Sequence, residues 1–297
     1  MEKFNGFDRN TVHDVSQLQR AITALLTPRH GEGEAKAMTR LIFHHLKGWD
    51  ATALIINADR QVSEYMIERV NEIVGRLLCG EPLQYVLGEA RFYGMDLKVD
   101  GSVLIPRPET AELVDLIVRE NPGDDLDVLD VGTGSGAIAI ALSRNLRFPH
   151  VVAIDISEEA LKVAEENARC LHAGISFLQR DVFTYEPEPD SFNIIVSNPP
   201  YIAESEKKDM EEHVLGHEPH LALFVPDSNP LLYYSRIATI AKDALRPGGR
   251  LYFEINPLFA AQLRKMLESE GFEDVEIIND SYGRKRFAKA RRKGDEP

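Results

Sequence analysis

The stretch that decides the fold is DLDVLDV-GTGSG-AIAIAL, Asp125–Leu142. Its first part, Asp125–Val131, is apolar enough for a buried strand, and its last part, Ala137–Leu142, has the composition of a buried helix. Between them, the glycines of Gly132–Gly136 let a ligand approach the backbone without a Cβ in the way, and the N–H groups that open the helix are unpaired donors. A strand, a glycine turn and a helix in this order are typical of an open α/β sheet that binds a nucleotide-like ligand.

Two further strands end in residues that suit such a ligand. The run Val151–Ile154 ends at Asp155, whose carboxylate could accept both hydroxyls of a ribose. After the predicted strand Ile175–Gln179, the pair Asp181-Val182 falls where an adenine amino group and ring would lie. These features fit either a dinucleotide or S-adenosylmethionine. The glycines are closer together than in G-x-G-x-x-G, which favours the smaller, methionine-like tail.

A fourth strand, Phe192–Ser197, leads into Asn198-Pro199-Pro200-Tyr201 at the carboxyl edge of the sheet. The amide oxygen of Asn198 and the restrained carbonyl of Pro199 are neighbouring acceptors that suit a planar NH2 group, over which Tyr201 could lie. Taken alone, the tetrapeptide is more typical of a turn. Beside a cofactor loop, it indicates a site that presents an amide or amino nitrogen for alkylation.

With these motifs, the chain resembles the glutamine-N5 methyltransferases that modify peptide release factors, the family often called HemK or PrmC. Outside the cofactor motifs, the resemblance is carried by Gly80–Gly88 (GEPLQYVLG), Phe92–Gly94 (FYG) and Val103–Thr110 (VLIPRPET). Adenine methyltransferases of DNA share Asn-Pro-Pro-Tyr but lack this leader. The resemblance implies a Rossmann-like class I methyltransferase with a seven-stranded sheet. It also implies S-adenosylmethionine as cofactor and a glutamine of a release factor as methyl acceptor.

The resemblance also implies a set of site residues. The catalytic residues would be Asn198, Pro199 and Tyr201, and Pro200, Arg107 and Glu109 would complete the substrate site. A structural ion pair remains the alternative for Arg107 and Glu109. The cofactor-binding residues would be Gly132, Thr133, Gly134, Ser135, Gly136, Asp155, Asp181, Val182 and Asn198.

Three positions depart from the family pattern as this resemblance gives it. Val182 stands where some relatives carry a tryptophan against adenine, so edge-on apolar contact is expected instead of ring stacking. Ala111 replaces a glutamate, and His217 replaces a tyrosine before Glu218-Pro219. These departures bear on affinity and loop contacts, because none of them lies in Asn-Pro-Pro-Tyr.

Apolar periodicity predicts helices over Val12–Leu26, Met38–Leu46 and Met66–Leu78, the last ending at Gly80-Glu81-Pro82. Alternation over Phe92–Gly101, with an Asp-Gly turn, predicts a β-hairpin. We therefore predict an N-terminal helical bundle (1–86), a β-hairpin linker (87–105) and a methyltransferase domain (106–297). The resemblance implies that the bundle helps to recognise the protein substrate.

Near the end of the chain, Arg246–Arg250 is expected to form a turn before the strand Leu251–Ile255. The resemblance implies that the basic segment Gly283–Ala290 is an antiparallel strand that closes the sheet, followed by a solvated tail; contact of this basic end with phosphate on the ribosome or on RNA is the alternative.

Composition limits the class of partner. The chain has 297 residues, 34 basic and 48 acidic, with a net charge of −14. This balance disfavours a surface that follows a phosphate backbone, so we expect no direct nucleic-acid substrate. Attraction to a basic release-factor domain and plain solubility both explain the charge equally well.

No apolar stretch is long enough for a membrane helix, and the first residues contain no signal-like segment. We therefore expect a cytoplasmic protein without membrane partners. We also expect a monomer. Cys79 and Cys170 show no metal spacing and are expected to be core thiols in a reducing compartment.

A metal site is the rival interpretation for His213, His217 and His220, which lie near Glu211, Glu212 and Glu218. Gly216 and Pro219 are expected to interrupt any helix there, and the glutamate of a zinc protease motif is missing between the histidines. We therefore expect no metal.

The Asn-Pro-Pro-Tyr motif leaves room for different acceptors of the methyl group. The same chemistry would suit a glutamine of a ribosomal protein or an exocyclic amino group in DNA or RNA. A cofactor-binding module without turnover is the non-enzymatic interpretation, which an intact glycine loop beside an intact Asn198–Tyr201 disfavours.

Overall fold

The computed structural model describes residue 4, residues 6–210 and residues 212–294. The chain divides into two compact units: Met1–Gly88 with Glu212–His217, and Glu89–Glu211 with Glu218–Pro297. The helices are α1 (Val15–Lys47), α2 (Ala51–Ile56), α3 (Glu64–Leu78), α4 (Leu83–Leu87), α5 (Pro108–Glu120), α6 (Ala137–Asn145), α7 (Glu158–Cys170), α8 (Glu212–His217), α9 (Leu232–Ala244) and α10 (Ala260–Ser269). The strands are β1 (Glu89–Phe92), β2 (Met95–Lys98), β3 (Asp127–Val131), β4 (His150–Asp155), β5 (Ile175–Gln179), β6 (Phe192–Ser197), β7 (Ile202–Ala203), β8 (Phe224–Val225), β9 (Leu245–Glu254), β10 (Glu273–Asn279) and β11 (Lys285–Arg291).

The first unit is helical and has its own apolar core. The predicted helix over Met66–Leu78 lies within α3. Apolar residues that recur on one of its faces at helical spacing are buried, among them Met66, Val70, Ile73, Val74 and Leu77. Helix α1 begins at Val15, three residues after the predicted start at Val12, and includes the rest of both predicted helices, which a kink at Gly31 (φ 77°, ψ 161°) separates. The predicted break is therefore present, although no loop separates the two segments.

The second unit is built on a seven-stranded sheet in the order β10-β11-β9-β6-β3-β4-β5. Strands β9, β6, β3, β4 and β5 are parallel, and β11 runs antiparallel to β9 and β10. This is the Rossmann-like seven-stranded arrangement that the family resemblance implied. Because Val131 pairs with both Ile154 and Ser197, the segments that follow β3, β4 and β6 begin side by side at one edge of the sheet.

Strands β1 and β2 form the predicted hairpin, but the turn is elsewhere. The chain reverses at Tyr93 and Gly94, both with positive φ (47° and 74°), and not at Asp100-Gly101. Two successive positive φ values are typical of a type I′ turn, whose twist matches that of the strands.

The predicted turn at Arg246–Arg250 is part of β9. Leu245 pairs with Phe192 and Arg250 with Ile194, so the intervening residues bulge out of the ladder with β6. The expected solvated tail is also wrong for its first residues. Arg291 lies in β11 and pairs with Glu273 and Asp274, and the next residue, Arg292, contacts Asp190.

Cys79 and Cys170 are exposed free cysteines, so the prediction of core thiols is wrong. Cys79 follows the last residue of α3 and Cys170 is the last residue of α7, where the helix face turns to solvent. Among the described residues, no helix is long and apolar enough to cross a membrane.

Candidate active site

The glycine loop after β3 lies on the wall of a cavity of about 270 Å³. Gly132 (φ 73°) and Gly134 (φ 55°) adopt left-handed backbone angles that glycine tolerates best. Among the described residues, no atom beyond the chain neighbours lies within 4 Å of where their Cβ atoms would be. Thr133 and Ser135 lie on the same wall. The loop therefore leaves open space in front of its backbone, as a ligand cradle requires.

Gly136 serves a different purpose. Within the described part of the chain it is not on the cavity wall, and a Cβ there would lie 3.1 Å from Ile140 Cδ1 and 3.2 Å from Ala164 Cβ. Its φ of 81° is also left-handed. Gly136 is thus needed for the close packing of α6 against α7, not for room in the cavity.

Asp155, at the end of β4, fixes the loop from the neighbouring strand. Its Oδ2 accepts the N–H of Gly134 at 2.9 Å, and its Oδ1 accepts the N–H of Ser157 at 3.0 Å. Burial raises the pKa of Asp155 despite these hydrogen bonds. Because a carboxylate has about four lone-pair directions, each oxygen retains acceptor capacity toward the cavity.

Beneath the loop lies a second carboxylate, Asp130, which the sequence analysis did not single out. Its side chain is buried, and its Oδ2 accepts the Thr133 hydroxyl at 2.7 Å. Its Oδ1 has no hydrogen-bond partner among the described residues. Burial raises the pKa of Asp130 to about 7. Asp130 does not line the described cavity, so it acts on the site from behind the loop through its hydrogen bond to Thr133 and its charge.

Asp181 and Val182, after β5, both lie on the cavity wall, where the sequence predicted the adenine site. Phe183 and Tyr233 extend this side of the cavity, with ring centroids 5.3 Å apart and planes tilted by 50°. Sequence analysis missed both aromatic residues. The only signal was the position of Phe183 next to Val182.

Three of the four Asn-Pro-Pro-Tyr residues, Asn198, Pro199 and Pro200, lie on the cavity wall. Tyr201 does not. It packs against the apolar core, and its hydroxyl donates to Glu254 Oε1 at 3.1 Å. Burial, together with the nearby Glu254 carboxylate, raises the pKa of Tyr201, so the hydroxyl keeps its proton. The predicted position of Tyr201 over a planar substrate group is therefore not what the structure shows.

Glu254, the last residue of β9, accepts a hydrogen bond from a second hydroxyl, that of Thr110. Thr110 Oγ1 donates to Glu254 Oε2 at 2.6 Å, and Asn198 Nδ2 lies 3.4 Å from Thr110 Oγ1. Thr110 is on the cavity wall, whereas Glu254 is buried behind it. Burial raises the pKa of Glu254, and the two hydroxyl donors oppose that shift. Neither residue was assigned a role from sequence.

Arg107 forms the structural ion pair that the sequence analysis kept as the alternative, and it also lies on the cavity wall. Its Nη2 donates to both carboxylate oxygens of Glu218 at 2.7 Å. Glu218 is buried, and the residues that follow it, Pro219, Leu221 and Ala222, line the same cavity. Glu109 is not on the described wall. The ion pair thus holds the segment after α8 beside the cavity.

The rival metal site is only partly covered by the structure. Glu211 and the side chains of Glu212 and His213 lie outside the described residues. Helix α8 contains Gly216, so the expected interruption at that glycine is wrong. In the remaining described residues, no three His, Cys, Asp or Glu side chains are grouped to hold a metal ion.

Fold and site together define a Rossmann-like methyltransferase. Residues 122–285 match the family described as "Methyltransferase domain", and residues 17–88 match the "PrmC N-terminal domain". A crystal structure of a methyltransferase from Pyrococcus furiosus has the same fold, with a TM-score of 0.51 at 16% identity, covering 74% of this chain and 97% of that one.

Relatives named release factor glutamine methyltransferase give a narrower identification. The protein from Bacteroides thetaiotaomicron is 48% identical over 260 residues, 87% of this chain and 93% of its own length. The protein from Streptococcus pneumoniae is 45% identical over 261 residues, 86% of this chain and 91% of its own length. The chain belongs to the release factor glutamine methyltransferase family.

Proposed function

We propose that this protein transfers a methyl group from S-adenosylmethionine to the side-chain amide nitrogen of a glutamine in a peptide chain release factor. Membership of the family supports the reaction and its substrate. The observation that carries the proposal is the single cavity whose wall joins the glycine loop after β3 to Asn198, Pro199 and Pro200 after β6. Methyl donor and acceptor groups would meet in it.

On the cofactor side, the described residues fit S-adenosylmethionine. The open space before Gly132 and Gly134 accommodates the chain that links sulfur to the amino acid. Asp130 is buried behind the loop and would act on the ammonium group through charge, not by direct contact. The free acceptor capacity of Asp155 suits ribose hydroxyls, and Asp181 and Val182 are available for adenine. When bound, the cofactor supplies a methyl group on a positively charged sulfur.

On the substrate side, the difficulty is the nucleophile. An amide nitrogen shares its lone pair with its carbonyl, so the protein has to orient and rehybridise it. We propose that Asn198 Oδ1 and the Pro199 carbonyl accept its two N–H groups. Such bonds favour pyramidal geometry at nitrogen and stabilise the positive charge that develops there, an effect aimed at the transition state. Holding the reactants together contributes several kcal/mol more.

Tyr201 and Arg107 then support the site without contacting the reacting nitrogen. The hydroxyl of Tyr201, held by Glu254, fixes the end of the Asn-Pro-Pro-Tyr segment from behind. Arg107, held by Glu218, forms part of the wall beside the glutamine. Glu109 would act at most through charge, because it does not line the described cavity.

We further propose that the partner is the basic, glutamine-bearing domain of the release factor, that the protein acts on it as a cytoplasmic monomer, and that nucleic acid is not its substrate. The net charge of −14 supports attraction to a basic protein surface. An association rate that does not change with salt would contradict this steering.

The test is incubation of the protein with radiolabelled S-adenosylmethionine and purified release factor. A matched release factor with its candidate glutamine replaced by alanine is the control. We expect label only in the unsubstituted factor. Label in neither factor, with label in ribosomal protein or DNA supplied in parallel, would replace the proposed substrate.

A further inference from the structure

A short chain of hydrogen bonds runs from the cavity wall into the core, from Asn198 to Thr110 to Glu254. The bond from Thr110 Oγ1 to Glu254 Oε2 is short, at 2.6 Å, and the contact between Asn198 Nδ2 and Thr110 Oγ1 is longer, at 3.4 Å. Hydrogen bonds at catalytic groups are often long before substrate binds. The three side chains come from positions far apart in the sequence.

The number of hydroxyl protons determines which group donates and which accepts in these hydrogen bonds. A threonine hydroxyl has one proton, and Thr110 uses it on Glu254. Toward Asn198, the Thr110 oxygen can therefore only accept. Burial raises the pKa of Glu254, and the hydroxyl donors Thr110 and Tyr201 and the nearby positive charge of Arg286 oppose that shift. The two hydroxyls donate to the two carboxyl oxygens of Glu254, at 2.6 and 3.1 Å. Glu254 thus determines which end of the Asn198 amide faces Thr110.

We propose that Thr110 and Glu254 are positioning residues that hold the NH2 group of Asn198 against the Thr110 hydroxyl and so leave its Oδ1 for the substrate. The inference rests on the proposed function, because an acceptor is required only if the substrate presents N–H groups. With the amide reversed, Asn198 would offer a donor to a substrate that also donates, and the hydrogen bond would be lost. The orientation of the Asn198 amide is thus set by two residues, Thr110 and Glu254, that do not themselves bind the substrate glutamine.

The decisive variants are Thr110→Val, which removes the hydroxyl at nearly constant shape, and Thr110→Ser, which restores it. We expect Thr110→Val to lower kcat about tenfold, the factor that corresponds to one ordinary hydrogen bond, and to leave the Kd for S-adenosylmethionine within about twofold. Thr110→Ser should recover most of the loss. The matched control is Tyr252→Phe, which removes a buried hydroxyl that donates to Glu120 Oε2 at 3.0 Å away from the described cavity wall.

A second measurement needs no release factor. The side-chain 15N–H2 signals of Asn198, assigned by their absence in Asn198→Ala, report the hydrogen bond directly in nuclear magnetic resonance spectra. We expect these signals to shift in Thr110→Val and to return in Thr110→Ser, with no change in Tyr252→Phe.

The outcomes separate the two proposals. If the unmodified protein does not methylate release factor but the Asn198 signals respond as expected, the proposed function fails and the orientation of Asn198 stands. Unchanged signals in Thr110→Val overturn the inference whatever the activity. So does a Thr110→Val variant with the kcat of the unmodified protein, or a Thr110→Ser variant as slow as Thr110→Val.

Discussion

Replacement of Asp155 by asparagine tests whether this residue serves cofactor binding or folding. In the structure, the two carboxylate oxygens accept one backbone N–H each, from Gly134 and Ser157. An asparagine has one oxygen, so its NH2 group must face one of these donors. The substitution also removes the negative charge and one acceptor that we assign to the ribose hydroxyls.

The expected losses differ for the two processes. A hydrogen bond to a charged group contributes about 1.5–3 kcal/mol, so we expect the Kd for S-adenosylmethionine to rise about 10- to 100-fold. The free energy of unfolding of the cofactor-free protein should change less. Burial raises the pKa of Asp155, which means that the ionised form is disfavoured in the folded protein, and stability from this group increases as the pH falls through that raised pKa. Removing the charge relieves this penalty and offsets the lost backbone hydrogen bond.

The assay is titration calorimetry with S-adenosylmethionine, together with denaturant unfolding of the cofactor-free protein. Asp127→Asn is the matched control, because Asp127 lies at the opposite end of β3, beside Arg246, and is not on the described cavity wall. We expect its Kd to match that of the unmodified protein. A Kd for Asp155→Asn within about threefold of normal, combined with a fall of more than about 2 kcal/mol in the free energy of unfolding, would refute a cofactor role and leave Asp155 as a structural residue.

Three further predictions concern other parts of the site. Asn198→Ala should lower kcat about a hundredfold or more, as loss of an oxyanion donor does, while cofactor Kd changes less; equal losses in kinetics and calorimetry would contradict the division between substrate and cofactor residues. Val182→Trp should tighten cofactor binding by calorimetry, since stacking on an adenine ring contributes about 1–3 kcal/mol, and an unchanged Kd would exclude stacking at this position. Gly136→Ala should cost about 1–3 kcal/mol of unfolding free energy through its left-handed φ and the contacts with Ile140 and Ala164, and an unchanged denaturation midpoint would show that α6 and α7 can move apart.

The sequence was sufficient for the sheet because its strands are decided locally. Apolar runs bounded by glycine or proline predicted β3, β4, β5 and β6, and all four are present at nearly the expected bounds. The Rossmann-like fold follows from their order.

The residues that sequence analysis missed act through long-range packing. Thr110 and Glu254 are 144 residues apart, and their contact is visible only once α5 and β9 are packed in one unit. The surroundings of Tyr201 were missed for a related reason: the motif shows which residues are present, but the contact of the Tyr201 hydroxyl with Glu254, 53 residues away, exists only in the folded unit. Cys79 and Cys170 were misplaced because a small apolar side chain at a helix end carries no sequence signal for the face it occupies.

The position of β11 has a practical consequence for protein engineering. This strand lies between β9 and β10 instead of at an edge, so β10 has no other strand partner within the described sheet. A protein truncated in the turn between β10 and β11 would therefore lack an internal strand of the sheet, which leaves a slot between β9 and β10, and not an edge strand. Supplying Lys285–Arg291 as part of a separate peptide would fill that slot, and recovery of methyltransferase activity would make the protein a fragment-complementation reporter.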